Sequence, residues 1–160
     1  MVEVKGGDAL RKRLQEIAAN LDKGAEVEVG FMEDKTYPDG TRVALVAALN
    51  EFGVPSHNQP PRPFFRNAIA VNQDKWPVNI VTALKANNYD AEKALALVGE
   101  EIQGEIQESI LELTEPALAE STIAGKSRGG VSKIAGVMGP EKPLIASGLM
   151  YNSVVYRVES

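Results

Sequence analysis

Three groups of residues in this 160-residue sequence have side chains that could take part in chemistry. The first is Gly125-Lys126-Ser127, which matches the end of a phosphate-binding P-loop. A P-loop has a further glycine five residues before this triplet, so that backbone amides can surround the phosphates. The corresponding residue here is Glu120, whose carboxylate would repel phosphate. We therefore interpret the triplet as part of a flexible loop.

The only histidine, His57, and a run of glutamates between residues 100 and 120 form the other two groups. A zinc site needs several ligands at defined spacing, and a general base needs a nucleophile beside it; the sequence offers His57 neither. Paired carboxylates can hydrolyse glycosides, but these glutamates share the polar face of one predicted helix, which favours contact with solvent or a basic neighbour. The sequence predicts no catalytic residue, no metal and no cofactor. A hydrolase that uses His57 or the glutamates is the last of our alternatives.

The composition is that of an acidic globular protein. Apolar residues make up 44% of the chain and charged residues 24%, and the formal net charge is -5. This balance argues against binding to bare duplex DNA, which requires basic residues. The absence of cysteine excludes disulfides and cysteine zinc sites. No apolar run approaches the roughly 18 residues that span a bilayer, and the N-terminus lacks a signal-peptide pattern, so we expect no membrane contact and synthesis in the cytoplasm.

The first half of the sequence predicts, in order, a helix, a strand, a second helix, a proline-rich loop and a third helix. Leucine and isoleucine recur at helical spacing over residues 9–21, which predicts a helix with one buried face. Residues 25–32 alternate apolar and polar, as in a half-buried strand. Residues 43–52 are apolar on all sides and predict a short, largely buried helix that ends at Gly53. Four prolines predict an extended loop over residues 54–63.

The second half predicts one long helix, a loop and a last strand. Residues 91–113 carry an apolar stripe and an acidic face, with Asp90 as the cap. Residues 125–140 contain five glycines and three basic residues, which predicts a long flexible loop. A strand is predicted at residues 154–158. The fold class is α+β: a single domain over residues 1–160 in which a small, mainly antiparallel sheet packs with several helices, one of them long and amphipathic.

The basic residues of the glycine-rich loop have two alternative partners. Lys126, Arg128 and Lys133 could contact the backbone of a nucleic acid. They could equally contact the acidic helix face of a neighbouring copy, because opposite charges on different segments of one chain suit head-to-tail assembly. We prefer self-assembly, which makes these three residues interface candidates. A nucleic-acid-binding module that uses residues 126–133 is the alternative from another class.

Three segments of the sequence, taken in order, resemble one known family. They are YPDGTRVALVAALNEFG at residues 37–53, PRPFFR at residues 61–66, and PLIASGLMYNSVVY at residues 143–156. This order is similar to that of the neck and tail-completion proteins of tailed bacteriophages, the head–tail joining and minor tail components. The segments cover about a quarter of the chain. The acidic helix and the glycine-rich loop match no motif of that family.

The resemblance implies a structural protein of the virion and no enzymatic activity. Such proteins form a ring at the head–tail junction, for which six-fold symmetry is one option, and DNA passes through it only as the genome. The implied partners are further copies of this chain, the head-connector or adaptor protein, and the tail-tube or terminator protein. The implied location is the tail or neck of the virion, after assembly in the host cytoplasm. A tail terminator or another minor tail protein is the alternative within this class.

The proline-rich segment supplies the other predicted interface residues. Aromatic side chains and arginines on a stiff loop are frequent anchors of protein interfaces, which selects Arg62, Phe64, Phe65 and Arg66. One phenylalanine is expected to enter the core, and the arginines are expected to face a partner or an acidic residue. Reversing the charge of either arginine should then weaken assembly and leave the monomer folded.

Overall fold

The structure is a computed structural model that describes residues 6–129, 142–145 and 147–159. Its elements, in chain order, are α1 (Gly7–Asp22), β1 (Glu26–Phe31), α2 (Val43–Phe52), a 3-10 helix (Pro55–His57), α3 (Phe64–Asn72), α4 (Trp76–Ala86), α5 (Ala91–Glu112), α6 (Glu120–Gly129), α7 (Leu149–Asn152) and β2 (Val154–Glu159). The predicted α+β class, with a small antiparallel sheet and one long helix, is confirmed.

Helix α5 packs on a sheet of two antiparallel strands. Strand β1 pairs with β2 so that Phe31 lies opposite Val154. Both strands contact α5. The carboxylate of Asp90 accepts a hydrogen bond of 3.1 Å from the backbone amide of Lys93, which confirms the predicted cap. A two-stranded sheet is marginal by itself, so the long helix supplies the apolar face against which it is stable.

Gly99 marks the closest approach between α5 and the sheet. A Cβ atom at this position would lie 2.8 Å from Cγ2 of Val27 and 2.9 Å from Cδ2 of Tyr156. The helix can rest directly on both strands only because this residue has no side chain.

Gly99→Ala is therefore expected to lower the free energy of unfolding by about 2 kcal/mol, because the added methyl group overpacks the helix–sheet contact. Gly104→Ala in the same helix is the matched control, since a Cβ there would meet nothing within 4 Å. Alanine at that position should stabilise the protein by about 0.5–1 kcal/mol. Urea unfolding of both variants measures the difference, and an equal effect of the two substitutions would contradict the close contact at Gly99.

The main core lies between α2, α3, α5 and the C-terminal segment. The ring of Phe64 meets that of Phe31 edge-on, with 6.0 Å between their centroids. The buried apolar residues of this core are Val43, Ala47, Phe64, Ala68, Ile106, Ile110, Leu113, Leu144, Ile145, Met150 and Val154. The three motif segments, which are far apart in the sequence, thus contribute side chains to one core.

Two helices differ from the prediction in their burial. Helix α1 has no buried residue, and Leu10 and Leu14 are 62% and 56% exposed. Helix α2 has the predicted bounds but is not largely buried, because Leu45, Leu49 and Phe52 are exposed. The apolar residues predicted the helices correctly, but the two predictions of a buried environment were wrong.

The predicted loop at residues 125–140 is helical over its first five residues. Helix α6 continues to Gly129, and within it the hydroxyl of Ser127 donates to the carbonyl of Ile123 at 2.9 Å. The interpretation of Gly125-Lys126-Ser127 as a loop was therefore wrong. Residues 130–140, and with them Lys133, lie outside the described residues.

Candidate interaction surfaces

Two of the four predicted interface residues in the proline-rich segment are buried within the chain. Arg62 is 6% exposed and Phe64 is 1% exposed. Phe65 is half-buried, with its ring edge-on to that of Phe64 at a centroid distance of 6.3 Å. Phe64 is thus the phenylalanine that enters the core. Arg66 reaches the surface, and 56% of its side chain is exposed.

Arg66 belongs to a cluster with Glu51 and Phe52, here called the α3 cap cluster. The two carboxylate oxygens of Glu51 accept hydrogen bonds from the backbone amide of Phe65 at 2.9 Å and from that of Arg66 at 3.3 Å. The Nε of Arg66 donates to the same carboxylate at 2.6 Å, and its guanidinium lies 5.3 Å from the ring centroid of Phe52. The first amides of a helix have no partner within it, so Glu51 caps α3 from the end of α2.

This cap was not predicted from the sequence, which led only to the expectation that the arginines face a partner or an acidic residue. Asn50 bonds within α2, from Nδ2 to the carbonyl of Val46 at 2.9 Å. Glu51 caps α3, and Arg66 faces this acidic residue of its own chain.

Arg62 is buried rather than available to a partner. Its backbone amide donates to the carbonyl of Asn50 at 2.7 Å, and its Nε has no hydrogen-bond partner among the described residues. Burial lowers the pKa of its guanidinium below the ordinary value. A carboxylate at this position would be buried without compensation, so the expectation that Arg62→Glu leaves the monomer folded does not hold.

Lys126 of α6 forms hydrogen bonds with the C-terminal segment, at residues 142–145. Its ammonium group donates to the backbone carbonyls of Lys142 at 2.6 Å and Ile145 at 2.7 Å. Lys142 in turn donates from Nζ to the carbonyl of Leu111, at the end of α5. Arg128 is exposed on the same helix as Lys126. Of the predicted basic group, Lys126 therefore has a structural role within its own chain, and Arg128 lies at the surface.

Part of the acidic face of α5 is used to bind α4. The carboxylate of Glu105 accepts from the indole Nε1 of Trp76 at 2.8 Å and lies 2.6 Å from Nζ of Lys75. The hydrogen bond to Glu105 raises the pKa of Lys75. Asn79 donates to both carboxylate oxygens of Glu101, at 2.8 and 2.9 Å. These two glutamates thus hold two helices together, which periodicity could not reveal.

Glu105 also lines an open groove between α3 and α5, here called the acidic groove, together with Glu108, Glu112 and Glu115. Its volume is about 550 Å³, and its lining residues include Glu105, Glu108, Glu112, Glu115, Ala68, Val71 and Leu113. Glu108 and Glu112 make no hydrogen bond or ion pair with any described residue. Val71 is 81% exposed at the rim, whereas Ala68 and Leu113 are buried in the floor. The groove thus combines the exposed apolar side chain of Val71 with several carboxylates, of which Glu108 is close enough to Lys75 to help raise the pKa of that lysine.

Two further surfaces are apolar and exposed. The first, here called the α1 stripe, consists of Leu10, Leu14 and Leu21. The second lies on α2, where Leu45, Leu49 and Phe52 are exposed. Phe52 also borders a groove of about 360 Å³ that Phe31 and Phe65 line. Extended apolar surface on a soluble monomer usually marks a binding site.

The residues first considered for chemistry are not brought together. His57 is exposed in the 3-10 helix, and the described part of the chain contains no group of three His, Asp or Glu side chains that could hold a metal ion. In the same part of the chain, no helix has the length and hydropathy to cross a membrane.

No protein-family model, curated protein or solved structure matches this chain.

Proposed function

We propose that this protein is a structural, non-enzymatic subunit of a tailed-phage virion. In this proposal, copies of the chain form a ring at the head–tail junction, in the neck or tail-completion region. The ring contacts the head-connector or adaptor protein on one side and the tail-tube or terminator protein on the other. The only DNA that the ring meets is the phage genome, which passes through its lumen. An acidic lumen would repel the DNA backbone, so the genome would pass without being bound.

The observation that carries this proposal is the presence of apolar residues at the surface of two different helices. Leucines are exposed along α1, and Leu45, Leu49 and Phe52 are exposed on α2. A subunit of a closed ring needs two different surfaces, one for each neighbour, and further surface for the proteins above and below. Side chains of this kind gain free energy when association removes them from water.

The motif segments also support the proposal, because they form one structural unit. Val43 of the first segment, Phe64 of the second and Val154 of the third lie in the same core. Glu51 and Arg66 join the first and second segments through the α3 cap cluster. The resemblance to neck and tail-completion proteins therefore rests on segments that pack together in one core.

The test is the mass of the purified protein in solution, measured by light scattering alone and after mixing with the tail-tube and head-connector proteins of the same virion. We expect a ring-sized species, either alone or on addition of one partner, and ring particles by electron microscopy. A protein that stays monomeric with every partner would overturn the proposal. Salt-dependent retention of such a monomer on DNA would then favour the nucleic-acid-binding alternative.

A further inference from the structure

Helix α1 has little within its own chain to stabilise it. Its contacts with the α4–α5 loop are polar: Arg13 donates to Oδ1 of Asn88 at 3.2 Å, and Asn20 donates to the carbonyl of Asn88 at 3.1 Å. The α1 stripe is open to solvent. A helix of 16 residues is marginal in water unless an amphipathic face packs against something. The exposed stripe is therefore a surface whose burial by a partner would stabilise α1.

The charges beside the stripe indicate what that partner carries. Successive residues of a helix are about 100° apart, which places Arg11 on one flank of the Leu10 and Leu14 row and Arg13 on the other. Both arginine side chains belong to exposed residues. Arg13 already contacts Glu16 and Asn88 of its own chain, so a surface that covers the stripe would meet positive charge mainly at Arg11. Its best match is apolar surface bordered by carboxylates.

The acidic groove has this arrangement. Val71 supplies exposed apolar surface at its rim, and the carboxylates of Glu108 and Glu112 make no hydrogen bond or close ion pair with any described residue, although Glu108 helps to raise the pKa of Lys75. No lysine or arginine is among its lining residues. Lys75 lies nearby but is paired with Glu105. Most of its lining residues belong to α3 and α5, which form its walls.

A single chain cannot easily fill its own groove with its own α1. The polar contacts hold α1 at Asn88, just before the first turn of α5. Glu108 is nearly five turns further along that helix, on the order of 25 Å away at 1.5 Å per residue. Helix α1 is therefore held at one end of α5, and the groove lies at the other end. The helix that fills the groove would then come from a neighbouring copy.

We propose that α1 of one copy binds in the acidic groove of a second copy. The α1 stripe packs against the exposed side chain of Val71, and Arg11 approaches Glu108 and Glu112. Because the donated helix and the accepting groove are different surfaces, each copy can bind one neighbour on either side, which gives head-to-tail association. This inference rests on the proposed ring and names the contact that builds it.

The test uses two variants, each of which lacks one of the two surfaces. The helix variant carries Leu10→Gln with Leu14→Gln, and the groove variant carries Glu108→Arg with Glu112→Arg. Their matched controls are Lys12→Gln, on the opposite side of α1, and Glu100→Arg, an exposed position elsewhere on α5. Thermal unfolding should show that all four remain folded, since none of the replaced side chains is buried.

We expect each defective variant alone to associate at least tenfold more weakly than the parent, and both controls to assemble like the parent. An equimolar mixture of the two defective variants should form a 1:1 dimer and nothing larger, because it contains one intact helix and one intact groove. Light scattering measures these masses.

Three results would overturn the inference. The first is parent-like assembly of either defective variant. The second is self-association of the groove variant alone, which would show that α1 pairs with another surface, such as a second α1. The third is a mixture without the dimer. If one of these results is obtained and the parent protein still assembles, the proposed ring stands and only this contact is wrong. If the parent protein never assembles, both the ring and the contact are wrong.

Discussion

Gly53→Ala should be among the most destabilising single substitutions in this protein, with a loss of about 3 kcal/mol or more in the free energy of unfolding. Gly53 follows α2 with φ 74° and ψ 172°, a combination that is almost restricted to glycine. A Cβ atom would lie 2.7 Å from the backbone nitrogen of Pro61 and 2.8 Å from the carbonyl oxygen of Gln59. Backbone atoms cannot rotate away, so both costs apply together.

Gly40→Ala separates the two costs. Gly40 also has a positive φ, 84°, but a Cβ there would meet nothing within 4 Å. Alanine at this turn should therefore cost only the conformational strain, about 1–2 kcal/mol. Urea unfolding of the two variants gives the comparison. A loss at Gly53 no larger than that at Gly40 would mean that the loop moves aside, and that the packing around Gly53 does not fix its path.

The close packing at Gly53 explains how the proline-rich loop returns to α2. Val54 pairs with Gln59 in an isolated bridge, and the amide of Arg62 donates to the carbonyl of Asn50 at 2.7 Å. The chain thus leaves α2, reverses within a few residues and passes beside the last turn of the same helix. That reversal brings the start of α3 within hydrogen-bonding distance of Glu51.

The sequence predicted elements well where the signals are local. The end of α2 at Gly53 and the cap of α5 at Asp90 were predicted correctly, because a positive φ and a side-chain cap involve residues next to each other. The α3 cap cluster was missed because its bonds join residues 14 and 15 positions apart, across a loop whose reversal no local pattern encodes.

The environments of helices were harder to predict than the helices. The spacing of Leu10 and Leu14 shows that one side of α1 is apolar, but the same spacing describes a helix packed on its own core and one that waits for a partner. Glycine-rich composition suggested a loop from residue 125, whereas α6 continues through Lys126, which bonds to carbonyls of the C-terminal segment. That stabilisation depends on distant residues.

Glu51→Ala is expected to lower the free energy of unfolding by about 2–3 kcal/mol. The side chain is 7% exposed and accepts two backbone amides of α3, so its removal leaves amide groups in a partly buried site without acceptors. The ion pair with Arg66 adds little to the free energy of unfolding, because the guanidinium is exposed and solvent screens the interaction. Thermal unfolding should show a decrease in Tm of roughly 5–10 °C.

Two controls show whether capping or charge is responsible. Glu16→Ala removes a partner of Arg13 in an exposed pair at 3.5 Å and should change stability by less than about 0.5 kcal/mol. Glu51→Gln keeps one oxygen that can accept from the amide of Phe65, so it should retain part of the stability that Glu51→Ala loses. If Glu51→Gln were as damaging as Glu51→Ala, the charge of Glu51 would matter more than its role as a cap. If neither variant lost stability, α3 would not depend on α2 for its first turn, and the two motif segments would be joined by the core alone.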